Sequence, residues 1–222
     1  MNRSIRYPLR RGAAVMLLVA FAALDVAAQT RSAPGGGLPP RDEYQRVPDI
    51  LAALRVAAGQ RIADVAAGDG YLTRPLAKQV GAAGRVYAVE ISEDARRKLA
   101  QLIERDTLGN VEVIASTETD PRLPAALDGA VILNSYHELT DYKAVLEGIR
   151  RALKPGGLFV LVDNAAGQGW FTERADQASH HALDPKYVGA ELRAAGFEIV
   201  DRQDRFIVQP YAQWLIVARR SR

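Results

Sequence analysis

The sequence predicts an α/β fold: a doubly wound, mainly parallel sheet with a C-terminal antiparallel hairpin. Three observations carry this. The strand-like segments are apolar throughout, as strands covered on both faces are. They alternate with helical segments of about ten residues, the rhythm of parallel strands joined by helices. The last two, residues 197–200 and 214–218, have no helix between them, as a returning antiparallel pair would.

The elements follow in order. Pro48 starts a helix whose apolar face is Ile50, Leu51 and Leu54, and Gly59 stops it. A strand over 61–66 comes next, then a helix capped by Thr73, carrying Leu76 and Val80 and ended by Gly81 and Gly84. Residues 85–91 make the second strand, and Ser92 caps a helix with Leu99, Leu102 and Ile103. The third strand is 111–115 and the fourth 130–134; Thr140 then caps a helix bearing Val145, Leu146, Ile149 and Leu153. After the turn at Pro155-Gly156-Gly157 the fifth strand runs over 158–163, and a helix opened by Asp184-Pro185 and closed by Gly196 precedes the hairpin.

Composition narrows the function classes. A chain of 222 residues, 48% apolar and 25% charged, suits one compact domain with a short extra segment and excludes disorder, collagen and coiled coil. The absence of cysteine excludes disulfides, thiolate metal sites and a cysteine nucleophile. The net charge of +3 resides in residues 1–28, which hold four of the 29 basic residues and one of the 26 acidic ones, leaving 25 of each. A neutral remainder gives no electrostatic footprint for nucleic acid or anionic lipid, and Arg219, Arg220 and Arg222 read as a solvated terminus.

Residues 1–28 read as a cleavable signal peptide: Arg3 to Arg11 form a positive region, 13–24 an apolar core, and Val26-Ala27-Ala28 a small-residue cleavage site. The apolar run is well short of the ~20 residues a membrane-spanning helix needs, so a stable anchor is not expected. Arg10-Arg11 lacks the neighbours of a folded-export signal. Residues 29–41 read as a flexible linker and 42–222 as the folded domain, periplasmic or secreted.

In such sheets the ligand lies at the C-terminal strand edge, approached by the first strand-to-helix turn. That turn holds Asp64, Ala66, Gly68 and Gly70, and its glycines let backbone come close to a ligand, or simply make a tight turn. Glu90 ends the second strand 20 residues past Gly70, followed by Ile91, and is placed to accept hydrogen bonds from two ribose hydroxyls. A nucleoside ligand is implied. A dinucleotide loop needs a third glycine at position 73, which here is threonine, so an NAD-dependent oxidoreductase is disfavoured.

These residues, with LKPGG at 153–157 and ELRAAGFEIV at 191–200, resemble the class I S-adenosylmethionine-dependent methyltransferases over residues 48–218. The motif NSYHE at 134–138 resembles an exported bacterial group of methyltransferase-like proteins. The resemblance implies a Rossmann-like methyltransferase fold and S-adenosylmethionine as cofactor. Asp64 and the loop from Gly68 to Gly70 would take its methionine end, Glu90 the ribose, and Thr117, with Ser116 and Glu118 beside it, the adenine; Asn134 would border the transferable methyl. Ala66 stands where a glycine is usual, and its methyl would crowd the loop.

Tyr136, His137 and Glu138 follow the fourth strand, and His180 and His181 follow the fifth, so all leave the ligand edge. A histidine titrating near 6.5 can remove a proton from a methyl acceptor, Glu138 could orient it, and the Tyr136 ring could face the sulfonium. Equally, Tyr136 and His137 could pack under the loop and Glu138 cap a helix. His137, Glu138 and His181 are metal-ligating types, but their spacing is not diagnostic and no metal is assigned. Trp170, Phe171 and Tyr211 could line the acceptor side or cover the sheet edge. The expectation is therefore methyl transfer (EC 2.1.1.-) to a small-molecule acceptor. The alternative is an exported cofactor-binding or scaffold protein with a degenerate fold. Oligomeric state has no sequence code.

Overall fold

The computed structural model describes residues 40–166 and 173–221. The expected leader and most of the linker, together with Trp170 and Phe171, lie outside the described residues. Short helices α1 (Arg41–Tyr44) and α2 (Val47–Ala53) precede β1 (Arg61–Val65), α3 (Thr73–Val80), β2 (Arg85–Glu90), α4 (Glu93–Arg105), β3 (Val111–Ala115) and β4 (Leu127–Leu133). A single 3-10 turn, Tyr136–Glu138, leads to α5 (Tyr142–Ala152), β5 (Leu153–Asn164), α6 (Arg174–Ser179), α7 (Pro185–Ala194), β6 (Phe197–Ile207) and β7 (Gln213–Arg220).

Among the described residues seven strands form one sheet in the order β3-β2-β1-β4-β5-β7-β6. The first five strands are parallel, whereas β7 runs antiparallel to both β5 and β6. The strand order therefore reverses between β1 and β4, which opens a crevice above their C-terminal ends. This is the expected doubly wound sheet with its late hairpin.

Strand periodicity sorts the core into two layers. Ala63 and Val65 of β1, Ile132 of β4 and Leu161 of β5 point to one face, where Val145, Leu146 and Ile149 of α5 and Val188 and Leu192 of α7 cover them. Ile62, Val131 and Val160 point to the other, under Ile50 of α2 and Leu76 and Val80 of α3. Each such buried Val, Leu or Ile side chain contributes about 1.5–3 kcal/mol. Trp214 is completely buried on β7 and donates its indole N–H to Leu183 O at 2.8 Å, which ties the segment before α7 to the sheet. No helix among the described residues is long and apolar enough to cross a membrane.

Local details differ from expectation for identifiable reasons. Thr73 does not cap α3: its hydroxyl donates to Asp64 Oδ2 at 2.6 Å instead. The cap of α5 is Asp141 rather than Thr140, its carboxylate accepting the Ala144 N–H at 3.0 Å. Ser92 caps α4 as expected, accepting from Ala95 N. β6 extends to Ile207, beyond the expected 200, because the exposed polar residues 201–203 still pair with β7, and pairing resumes at Ile207 after an irregularity. Helix α6 was not signalled at all.

Candidate active site

The turn after β1 and the ends of β2 and β4 enclose two adjoining cavities. The first, about 390 Å³, is lined by Glu90, Ile91, Ser116, Thr117 and Glu118, with Leu139 from beyond the 3-10 turn. The second, about 340 Å³, is lined by Asp64, Tyr71 and Asn134 and is flanked by Arg41 and Tyr44 of α1. Ala66, Gly68 and Ser135 line both, so the two join into one elongated crevice at the switch point.

In the first cavity the Glu90 carboxylate is fixed by two backbone amides: Gly68 N–H donates to Oε2 at 2.8 Å and Ser92 N–H to Oε1 at 2.9 Å. Each oxygen keeps a second lone pair for a ligand hydroxyl. Ile91 is 51% exposed beside it, an apolar surface for a flat ring. The Thr117 hydroxyl accepts the Asp120 N–H at 3.0 Å, which shapes this wall of the cavity.

The second cavity is built differently. Asp64 is buried, and burial pushes its carboxyl up to about 7, although the Thr73 hydroxyl and the charge of Arg41 pull it down. A chain of side-chain amides closes the far wall. Gln213 Nε2 donates to Asn164 Oδ1 at 3.1 Å, Gln45 Nε2 to Gln213 Oε1 at 2.9 Å, and Asn134 Nδ2 to Gln45 Oε1 at 3.1 Å. Asn134 Oδ1 ends the chain as a buried acceptor with no partner among the described residues. Ala66, Gly68 and Asn134 all have φ near +58°. Two of the three are not glycine, so the crevice holds strained backbone.

Gly70 lies outside both cavities. A Cβ there would sit 2.4 Å from Leu102 Cδ2 and 2.9 Å from Leu99 Cδ2, so its missing side chain makes room for α4 rather than for a ligand. Gly68 has no neighbour in that direction and lines both cavities.

The cluster after β4 divides. Tyr136 turns into the core, completely buried, and donates its hydroxyl to Glu191 Oε2 at 2.7 Å. Burial, and then the charge of Glu191, raise its phenol well above the ordinary range. Its ring cannot face the crevice; the packing alternative describes it, because the 3-10 turn after β4 lays Tyr136 into the core beside Glu191. His137 faces His181, with ring centroids 5.4 Å apart, while His180 turns to its own helix end with Nδ1 2.8 Å from Asp176 O. The group that orients His137 is Asp163, not Glu138. Asp163 Oδ1 lies 2.8 Å from His137 Nδ1, and Oδ2 accepts the His137 backbone N–H at 2.9 Å. Asp163 Oδ1 also accepts the Asn164 N–H at 2.7 Å, so Asp163 is an acceptor throughout and Nδ1 carries the proton. Nε2 is left as the ring's acceptor, with His181 Nδ1 3.4 Å away. Burial lowers the His137 pKa, but the hydrogen bond to Asp163 and its charge, with Glu138 adding, outweigh this and hold it above 6.5. Asp163 escaped the sequence reading, although an acid closing an apolar strand was its signal. Tyr211 reaches the second cavity and is half exposed.

Residues 62–157 match the family described as a methyltransferase domain. The match spans a little under half of the chain. The chain's relatives include the demethylmenaquinone methyltransferase of Geobacillus kaustophilus (strain HTA426), 30% identical over 118 residues, or 53% of this chain and 50% of that one. The ubiquinone/menaquinone biosynthesis C-methyltransferase UbiE of Teredinibacter turnerae (strain ATCC 39867 / T7901) is 31% identical over 123 residues, 54% of this chain and 49% of that one. The chain thus spans about half the length of the curated relatives it matches. Among solved structures, a SAM-dependent methyltransferase from Aquifex aeolicus is similar with a TM-score of 0.70 and 25% identity, covering 82% of this chain and 93% of that one. The fold is the Rossmann-like methyltransferase fold. The matched span holds Asp64, Glu90, Thr117, Asn134 and His137, whereas Asp163 and His181 lie beyond it.

Proposed function

We propose that the chain transfers the methyl group of S-adenosylmethionine to a small-molecule acceptor. One observation carries the reading: the crevice at the switch point has a diol-seeking carboxylate at one end and an unpartnered buried acceptor, Asn134 Oδ1, at the other. The residues fit the cofactor. Glu90 would hold the ribose hydroxyls, Ile91 and Thr117 would border the adenine, and Asp64 and Asn134 Oδ1 would receive the amino-acid end. When bound, the cofactor supplies an electrophilic methyl on a sulfonium.

The chain's own work is alignment and proton removal. Gly68 brings backbone against the ligand, and the amide chain from Asn164 to Asn134 fixes the wall. On the acceptor side His137 would take the acceptor's proton at Nε2, with Asp163 holding the ring and stabilising the imidazolium that forms.

Titration calorimetry with S-adenosylmethionine tests the reading. Binding at micromolar concentration is expected, with Glu90→Ala at least tenfold weaker; no heat at millimolar cofactor would overturn it. With cofactor bound, His137→Ala should lower formation of S-adenosylhomocysteine from a metabolite mixture while leaving cofactor affinity unchanged. The second reading, a binding or scaffold protein, is favoured by Ala66, whose methyl stands on left-handed backbone in the cofactor loop. It predicts a raised melting temperature with cofactor and no product.

A further inference from the structure

At the edge of the crevice, the three side chains of ligand type that leave the same sheet edge converge on one point. Nε2 of His137 is 3.4 Å from Nδ1 of His181 and 3.7 Å from Oε1 of Glu138. The three ligand atoms all lie within 4.8 Å of one another. In a tetrahedral zinc site, with ligands about 2.0–2.1 Å from the metal, neighbouring ligand atoms sit about 3.3 Å apart. Two of the three separations are close to that length before any ion draws the ligands in.

We propose that His137 Nε2, His181 Nδ1 and Glu138 form a binding site for a divalent transition-metal cation of the zinc type, with a fourth position open to solvent or ligand. The support comes from how each ligand is held. The buried Asp163 accepts from His137 Nδ1, so the lone pair at Nε2 is aimed outward and made more basic, as metal-bound histidines require. His181 has φ +55°, a strained conformation for a residue other than glycine, and its carbonyl is clamped by Asn164 Nδ2 at 2.9 Å. Strain of this kind persists where surrounding structure enforces it, and here it turns the imidazole toward His137. The donor set of two imidazoles and one carboxylate is that of a borderline cation, and a thiolate is not needed. The His137 side chain, 3% exposed, forms the floor, while Glu138 is 60% exposed, so an ion can enter from solvent.

Without a cation, His181 Nδ1–H can point at the His137 lone pair, a long contact at 3.4 Å. Binding requires His181 to carry its proton on Nε2, an exchange of tautomers that releases no net proton. Nε2 of His137 has one lone pair, so a bound cation and an acceptor's proton exclude each other there.

The test uses the full chain, stripped with a chelator and titrated with Zn2+ and Co2+. One equivalent per chain at low micromolar concentration is expected, and the Co2+ complex should show the intense visible bands of a four-coordinate site. His181→Ala and Glu138→Gln, both at exposed positions that leave the core intact, should each weaken binding at least tenfold. Asp163→Asn should weaken it about 10–100-fold. His180→Ala should bind as the parent does. Binding below one equivalent, or equal affinity in His181→Ala and the parent, overturns the proposal. A calorimetric titration with S-adenosylmethionine on the same samples separates the two readings, since loss of cation binding with cofactor binding intact sinks the metal site alone.

Discussion

Ala66 has φ +58° in the loop between β1 and α3, where a glycine would carry no penalty. A left-handed residue with a Cβ costs about 1–2 kcal/mol. Ala66→Gly should therefore stabilise the chain by about 1 kcal/mol, read as a rise of about 2–4 °C in Tm for a domain this size. An unchanged or lower Tm would show that the Ala66 methyl makes compensating contacts. Single residues were legible in the sequence where their place follows from position along a strand or at a helix end. Glu90 at the end of β2 is such a case, and so is Ser92 as a cap. They were illegible where it depends on which way a side chain turns. Tyr136 and His137 are neighbours, yet one enters the core to reach Glu191 and the other meets His181, 44 positions away.

At the scale of elements, helix α4 can approach the turn after β1 only because position 70 has no side chain. Gly70 has φ +89°, and a Cβ would lie 2.4 Å from Leu102 Cδ2. Gly70→Ala should cost about 1–3 kcal/mol through overpacking and backbone strain. Adding Leu102→Ala should return part of that loss in urea unfolding, and strictly additive losses would show that the clash is not the cause. The helix ends carry the same lesson. Thr73 looks like a cap by residue type, but the nearby buried Asp64 is an acceptor in need of a donor, and the hydroxyl serves it instead. The strand ends of β6 were missed because an edge strand keeps its backbone pairing after its side chains turn polar, so hydropathy no longer reports it.

For the whole molecule, Asp64 couples the site to stability. Its folded pKa of about 7 lies above its ordinary 3.8, so between these values the native state holds a proton that the unfolded chain has released. Stability therefore falls as pH rises from about 4 to 7 and levels off above, by about 2–4 kcal/mol at most for this one group. His137, raised above 6.5, adds stability below 6.5 that is lost as pH rises through its folded value. The difference between the parent and Asp64→Asn in urea melts across that window isolates Asp64. The variant should show the shallower slope, and parallel curves would mean that Asp64 ionises normally in the fold.

The order of strands and helices, the late hairpin and the glycine turn after β1 followed from sequence because they rest on local periodicity, turn residues and short spacings, which neighbouring residues determine. The pairing of His137 with Asp163 and His181, the inward turn of Tyr136 and the amide chain through Gln45, Asn134, Gln213 and Asn164 were decided by tertiary structure. These contacts join distant segments, and which atoms meet depends on how β4, β5 and β7 lie side by side in the sheet, a geometry that no single stretch of chain contains.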